Sequence, residues 1–93
     1  MTYEEYDDLK YKITKYELST DKIELLKRDN KVLENLKDDK FSKLQISVSG
    51  NAVAGNTKIL STGDLKERNN IINFLIKTNE SKIKYEEEKI AML

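Results

Sequence analysis

From Tyr3 to about Asp38, apolar side chains return every three or four residues, at Tyr6, Leu9, Ile13, Tyr16 and Ile23, then at Leu25, Leu26, Val32, Leu33 and Leu36. That spacing keeps one stripe of a helix turned toward a partner. The stretch contains no Gly or Pro and is dense in Glu, Lys and Leu, which lose little side-chain freedom in a helix. The stripe changes phase near Ser19, Thr20 and Asp21, whose short polar side chains compete for backbone hydrogen bonds; Asp21 with Glu24 resembles a capping box. The expectation is one continuous helix with a phase shift, or two helices broken near Ser19, with continuity favoured.

The pattern changes abruptly after Lys40. From Phe41 to Gly63 there is no acidic residue, the only bases are Lys43 and Lys58, and all three glycines fall here. Leu44, Ile46 and Val48 alternate with Gln45, Ser47 and Ser49; Gly50 and Asn51 offer a turn; Thr57, Ile59 and Ser61 alternate again. Period-two alternation around a turn predicts a short β-hairpin, with an ordered loop as the alternative. A two-stranded hairpin is marginal alone, so it must lean on the helices or on another subunit.

Ser61, Thr62, Gly63 and Asp64 then offer several helix caps, and Asp64 with Glu67 sets negative charge at the positive end of a second long helix, about 64–92. Its seam runs through Leu65, Ile72, Ile76, Ile83, Ile90 and Leu93, with Asn69, Asn79 and Glu86 on the same frame. Around Ile71, Ile72, Phe74, Leu75 and Ile76 the apolar surface nearly encircles the helix, more than one neighbouring helix can cover. The fold class expected is mainly α: one domain, 1–93, an antiparallel helical hairpin with coiled-coil-like arms and a β-hairpin or ordered loop at its tip. Assembly as a homo-oligomer, a dimer or higher, is expected through the apolar turn and seams.

Composition narrows the function. Only 38% of the 93 residues are hydrophobic and 37% are charged, so the core must be thin, and without Cys no disulfide supplements it. The absence of both His and Cys removes the common neutral-pH base, the soft nucleophile and most transition-metal ligands. No catalytic or nucleotide-binding motif spacing occurs, so an enzyme is not expected, and no cofactor or metal site is implied. Seventeen basic residues balance seventeen acidic ones, leaving no net attraction for nucleic acid. No apolar run approaches the roughly 20 residues that span a bilayer, and the acidic, Tyr-rich N-terminus does not resemble a signal peptide; a cytoplasmic, membrane-free protein is expected.

Two surfaces are candidates for binding. Ser47, Ser49, Asn51, Asn56, Thr57 and Lys58 in the acid-free tip, with Ser61, Thr62 and Gly63 at the helix start and Arg68 one turn in, offer hydroxyls, amides, cations and a positive dipole end to an anion such as a nucleotide. The same residues serve equally as turn and cap residues of a connector. Tyr11, Leu18, Leu25 and Val32 repeat every seven residues roughly opposite the first stripe and form a candidate protein interface, together with Ile71, Ile72, Phe74, Leu75, Ile76, Ile83 and Ile90. Tyr3, Tyr6 and Tyr16 are expected in the first seam. Asn69, Asn79 and Glu86 are read as seam polar groups that fix register, and the runs Lys37 to Lys40 and Glu86 to Glu88 as solvated helix ends.

The Lys-, Asn-, Ile- and Glu-rich wording and the arm-loop-arm layout around LQISVSGNAVAGNTKILSTGD resemble small accessory proteins of phages that infect low-GC Gram-positive bacteria. Phage regulators of similar layout carry a helix-turn-helix after the arm, which is not expected here. The resemblance implies an anti-defence role, by sequestering a small anionic nucleotide signal or by occluding a host protein. The alternative is a coiled-coil scaffold whose tip is only a connector; a nucleic-acid regulator is disfavoured.

Overall fold

A computed structural model describes residues 2–50 and 55–93. It consists of helix α1 (Tyr3–Asp38), strands β1 (Leu44–Ser49) and β2 (Asn56–Thr62), and helix α2 (Leu65–Ala91). The antiparallel helical hairpin expected from the patterns is present, and α1 runs unbroken through Ser19. Its start is fixed by a capping box: the Glu5 backbone N–H donates to Thr2 Oγ1 (3.1 Å), and the Thr2 N–H donates back to the Glu5 carboxylate (3.3 Å). α2 starts at Asp64, whose carboxylate accepts from the N–H groups of Lys66 (2.8 Å) and Glu67 (3.4 Å). No helix among the described residues is long and apolar enough to cross a membrane.

The reason Ser19 does not break the helix is tertiary. Ser19 is buried, as is Ile23 four residues on, so the phase shift turns a new face of the same helix toward α2. α2 answers with Ile72 and Ile76, and with Ile23 these are the buried apolar residues among those described, a thin core. Pairs between the helices set the register: Asn79 donates to Asn30 (2.9 Å), and Lys37 donates to Asn73 (2.9 Å) while also pairing with Glu34 (3.2 Å). The encircling apolar turn is largely resolved within one chain. Ile72 and Ile76 face the core, Ile71 and Leu75 are half-buried, and only Phe74 is left in solvent.

β1 and β2 pair antiparallel, with Leu44 opposite Thr62, Gln45 opposite Ser61 and Ile46 opposite Leu60; beyond a bulge, Ser47 faces Lys58, Val48 faces Thr57 and Ser49 faces Asn56. The extra residue on β2 is Ile59, the usual two-against-one count of a bulge. Gly50 and Gly55 both have positive φ (153° and 67°), which suits glycine at the strand ends. The expected turn at Asn51 lies outside the described residues. Among the described residues, the base of this hairpin is what rests on the helices: Thr62 is buried and Leu44 and Leu60 are half-buried, whereas Ile46 and Val48 stand in solvent. The molecule is therefore long, 61 × 33 × 16 Å, with a radius of gyration of 18.8 Å. A compact chain of this length would be near 12 Å.

Candidate functional site

Arg68 is the most buried charged residue among those described, at 1% exposure. The chain leaves α1 at Asp39 in an extended conformation and turns past Ser42 into β1, exposing carbonyls that no helix bond can satisfy. Arg68 collects them. Nη1 donates to the carbonyls of Asp39 and Ser42 (the latter at 2.7 Å), Nη2 donates to Lys37 O (3.2 Å), and Nε and Nη2 both donate to Asn69 Oδ1 (3.1 and 3.0 Å). All five guanidinium N–H groups are used, so none is left for an anion.

The turn is stiffened from the other side by Asp39, which accepts from the Phe41 N–H (2.8 Å) and the Ser42 hydroxyl (2.6 Å). The Ser42 hydroxyl, then the Phe41 N–H, and more weakly the Arg68 charge, hold the Asp39 carboxyl below its ordinary range. Sequence reading missed Asp39 because its partners are set by the turn. Asp-x-Phe-Ser after a helix was the available signal for an Asx-type turn.

The tip residues do not converge on Arg68. Ser47 with Lys58, and Ser49 with Asn56, are exposed cross-strand neighbours, and Thr57 pairs with Val48. Asn51 lies outside the described residues. At the base Ser61 and Gly63 are exposed, whereas Thr62 is buried and its hydroxyl has no hydrogen-bond partner among the described residues. The positive end of α2 is met by the chain's own Asp64 carboxylate rather than left open to a ligand. Arg68 and Thr62, expected on a ligand surface, are thus internal.

Glu86, read both as a seam polar group and as part of a solvated run, is buried in the seam, and Lys37, read as part of a solvated helix end, is half-buried. Glu86 is 6% exposed against Ser19, with Oε1 3.6 Å from Lys89 Nζ and 3.8 Å from Lys22 Nζ. The Ser19 hydroxyl, then the Lys22 and Lys89 charges, hold its carboxyl below the ordinary value against the opposing effect of burial. A depressed carboxyl stabilises the fold above its unfolded pKa, and that contribution is lost as pH falls through the folded one. Thermal melts from pH 7 to pH 3 should therefore show the melting temperature falling through and below the ordinary carboxylate range. Glu86→Gln should flatten part of that fall, Asp39→Asn another part.

What remains open is a face of the two-helix layer. Tyr11, Leu18, Leu25 and Val32 are each 49–60% exposed, in line along α1. Shallow hollows follow that line in the groove beside α2. One is lined by Tyr11, Leu18, Met92 and Leu93 with Lys15 and Lys89. The next holds Leu25, Leu26 and Tyr85 between Lys22 and Lys82, and another joins Val32 and Leu33 to Leu75 and Asn79. Of the other interface candidates, Ile72 and Ile76 are spent in the core, Ile71, Leu75, Ile83 and Ile90 are half-buried, and Phe74 is exposed. No group of three or more acidic residues among those described is arranged to hold a metal ion. No family model, curated protein or solved structure matches this chain, so the groove's own geometry is the guide to its role.

Proposed function

We propose that this chain is a non-catalytic interaction module that takes an amphipathic helix of another protein into the groove marked by Tyr11, Leu18, Leu25 and Val32. The observation that carries this reading is the exposed seven-residue repeat itself. From Tyr11 to Val32 it spans about 32 Å of helix, and one apolar knob every two turns matches the spacing at which a helix laid alongside presents its own. The two hollows from Tyr11 to Leu25 are lined by Lys15, Lys22, Lys82 and Lys89, with Glu86 in the second, and the Val32 hollow by Asp29, which suits a partner helix with acidic flanks along the Tyr11–Leu25 stretch. The resemblance to small phage accessory proteins makes a host defence protein the target to try first.

A photo-crosslinker at Leu25 should mark a discrete protein in lysate of a low-GC Gram-positive host. The mark should vanish when Leu18 is also changed to Glu, with the melting temperature nearly unchanged because both side chains are about half exposed. Calorimetry with a panel of nucleotides should show no heat at micromolar concentration. Binding heat that Lys58→Ala abolishes would replace this reading with nucleotide sequestration at the tip.

A further inference from the structure

α2 ends against the stretch of α1 around Leu18, and the two helices leave a hollow there of about 290 Å³. Its apolar walls are Tyr11, Leu18, Met92 and Leu93, each at least 41% exposed. Lys15, Lys22 and Lys89 share the lining, and no Asp or Glu does. Ligand pockets begin at roughly 300 Å³, so the size suits a single short chain or ring.

The surroundings of these lysines leave their charge poorly answered. A helical lysine can pair with an acid three or four residues away, as Lys12 does with Asp8 and Lys37 with Glu34. At that spacing Lys15 has Tyr11, Lys12, Leu18 and Ser19, and Lys22 has Leu18, Ser19, Leu25 and Leu26. None of these is acidic. Lys22 and Lys89 approach one shared oxygen instead, Glu86 Oε1, at 3.8 and 3.6 Å, both longer than a direct hydrogen bond. Lys15 makes no ion pair among the described residues, and its ammonium lies 5.4 Å from the centre of the Tyr11 ring. The α-carboxylate of Leu93 pairs with none of the three. Three cations therefore have one carboxylate between them, and that one is buried.

Apolar walls beside unanswered cations select a ligand with two parts. A small anion alone gains little from exposed ammonium groups, about 0–1 kcal/mol for each pair. An apolar chain that fills the hollow removes its own surface and the walls' from water, and brings an attached anion beside the lysines at a lower effective dielectric, where the attraction is stronger. We propose that the hollow is a site for a small amphiphilic anion, an apolar chain or ring bearing one carboxylate, whose body packs on Leu18, Met92 and Leu93 and whose head is held by Lys15 with Lys22 and Lys89. Tyr11 and Leu18 belong also to the helix groove, but the site does not rest on that reading, since it is tested on the chain alone with no partner present.

Octanoate, octanol and acetate separate the two requirements. In amide NMR spectra of the full chain, octanoate should saturate in the millimolar range, with shifts centred on Leu18, Ser19, Met92 and Leu93. Octanol keeps the chain and should bind several-fold more weakly; acetate keeps only the charge and should give no saturable shift. Lys15→Gln removes a cation that supports no ion pair, so the rest of the spectrum should stay unchanged. It should weaken octanoate by about two- to fivefold and leave octanol as it was. Adding Lys89→Gln should weaken octanoate further, whereas Lys66→Gln, at the far end of α2, should change nothing. Added salt should weaken octanoate and spare octanol. The proposal is overturned by octanoate that fails to saturate, by octanol or acetate that binds as well, by an affinity indifferent to Lys15→Gln, or by shifts centred on Val32 and Leu75.

Discussion

Arg68→Ala should be the most damaging single substitution in this chain, lowering stability by about 3–5 kcal/mol, on the scale of breaking a buried charged hydrogen-bond network. The loss is concentrated because one side chain closes three backbone carbonyls, those of Lys37, Asp39 and Ser42, and is tied down by Asn69. Removing it leaves those acceptors under-satisfied beneath the hairpin base and opens a void where the described residues of the helices meet that base. Lys should rescue little. An ammonium is a compact point donor that cannot reproduce a planar fork reaching separate carbonyls. For a domain of this size each kcal/mol is worth roughly 4–8 °C in melting temperature, so the drop should be at least about 12 °C. Urea denaturation of Arg68→Ala and Arg68→Lys checks this. A change below about 1 kcal/mol in both would show that the network carries no stability.

Ile72→Ala should follow, at about 2–5 kcal/mol, the range for deleting an aliphatic side chain from a packed interior. Ile72 is 0% exposed on the face of α2 that meets the end of α1, and with Ile23 and Ile76 it makes up the buried apolar core among the described residues. In so thin a core few neighbours can shift to fill the space, which favours the upper part of the range. Phe74→Ala is the matching control. It removes a larger side chain from the same turn, yet Phe74 is 68% exposed and should cost less than about 0.5 kcal/mol. Guanidinium titrations of the two variants side by side measure the contrast directly. Equal losses would place a covering surface over Phe74 in solution.

These two residues also show how far sequence reading reached. Ile71 to Ile76 was legible as a turn too apolar for one neighbouring helix, and periodicity already put Ile72 and Ile76, but not Phe74, in the seam. The packing of α1 decided that Ile71 and Leu75 are half-buried while Phe74 is left in solvent. Arg68 was legible as a cation one turn into a helix beside an acid-free segment, which is equally the description of an anion ligand. Its actual partners are carbonyls more than twenty residues earlier in the chain, brought there by the hairpin. Glu86 was legible both as a seam polar group and as part of a solvated charge run, and its burial against Ser19 of the facing helix decided for the seam.

The sequence by itself determined the element types and their approximate bounds, because helical and strand periodicities, the Asp64 cap and the acid-free tip are local properties of the chain. It also determined the seven-residue repeat at Tyr11, Leu18, Leu25 and Val32. Tertiary structure decided which polar groups are internal and which apolar groups stay outside. Burial depends on how the antiparallel register sets one helix against the other, and that register is fixed by pairs such as Asn30 with Asn79 that lie far apart in the chain. For this protein the consequence is a reassignment. The cation one turn into α2 belongs to the fold, and the surface proposed for a partner is the groove that Tyr11, Leu18, Leu25 and Val32 mark beside α2.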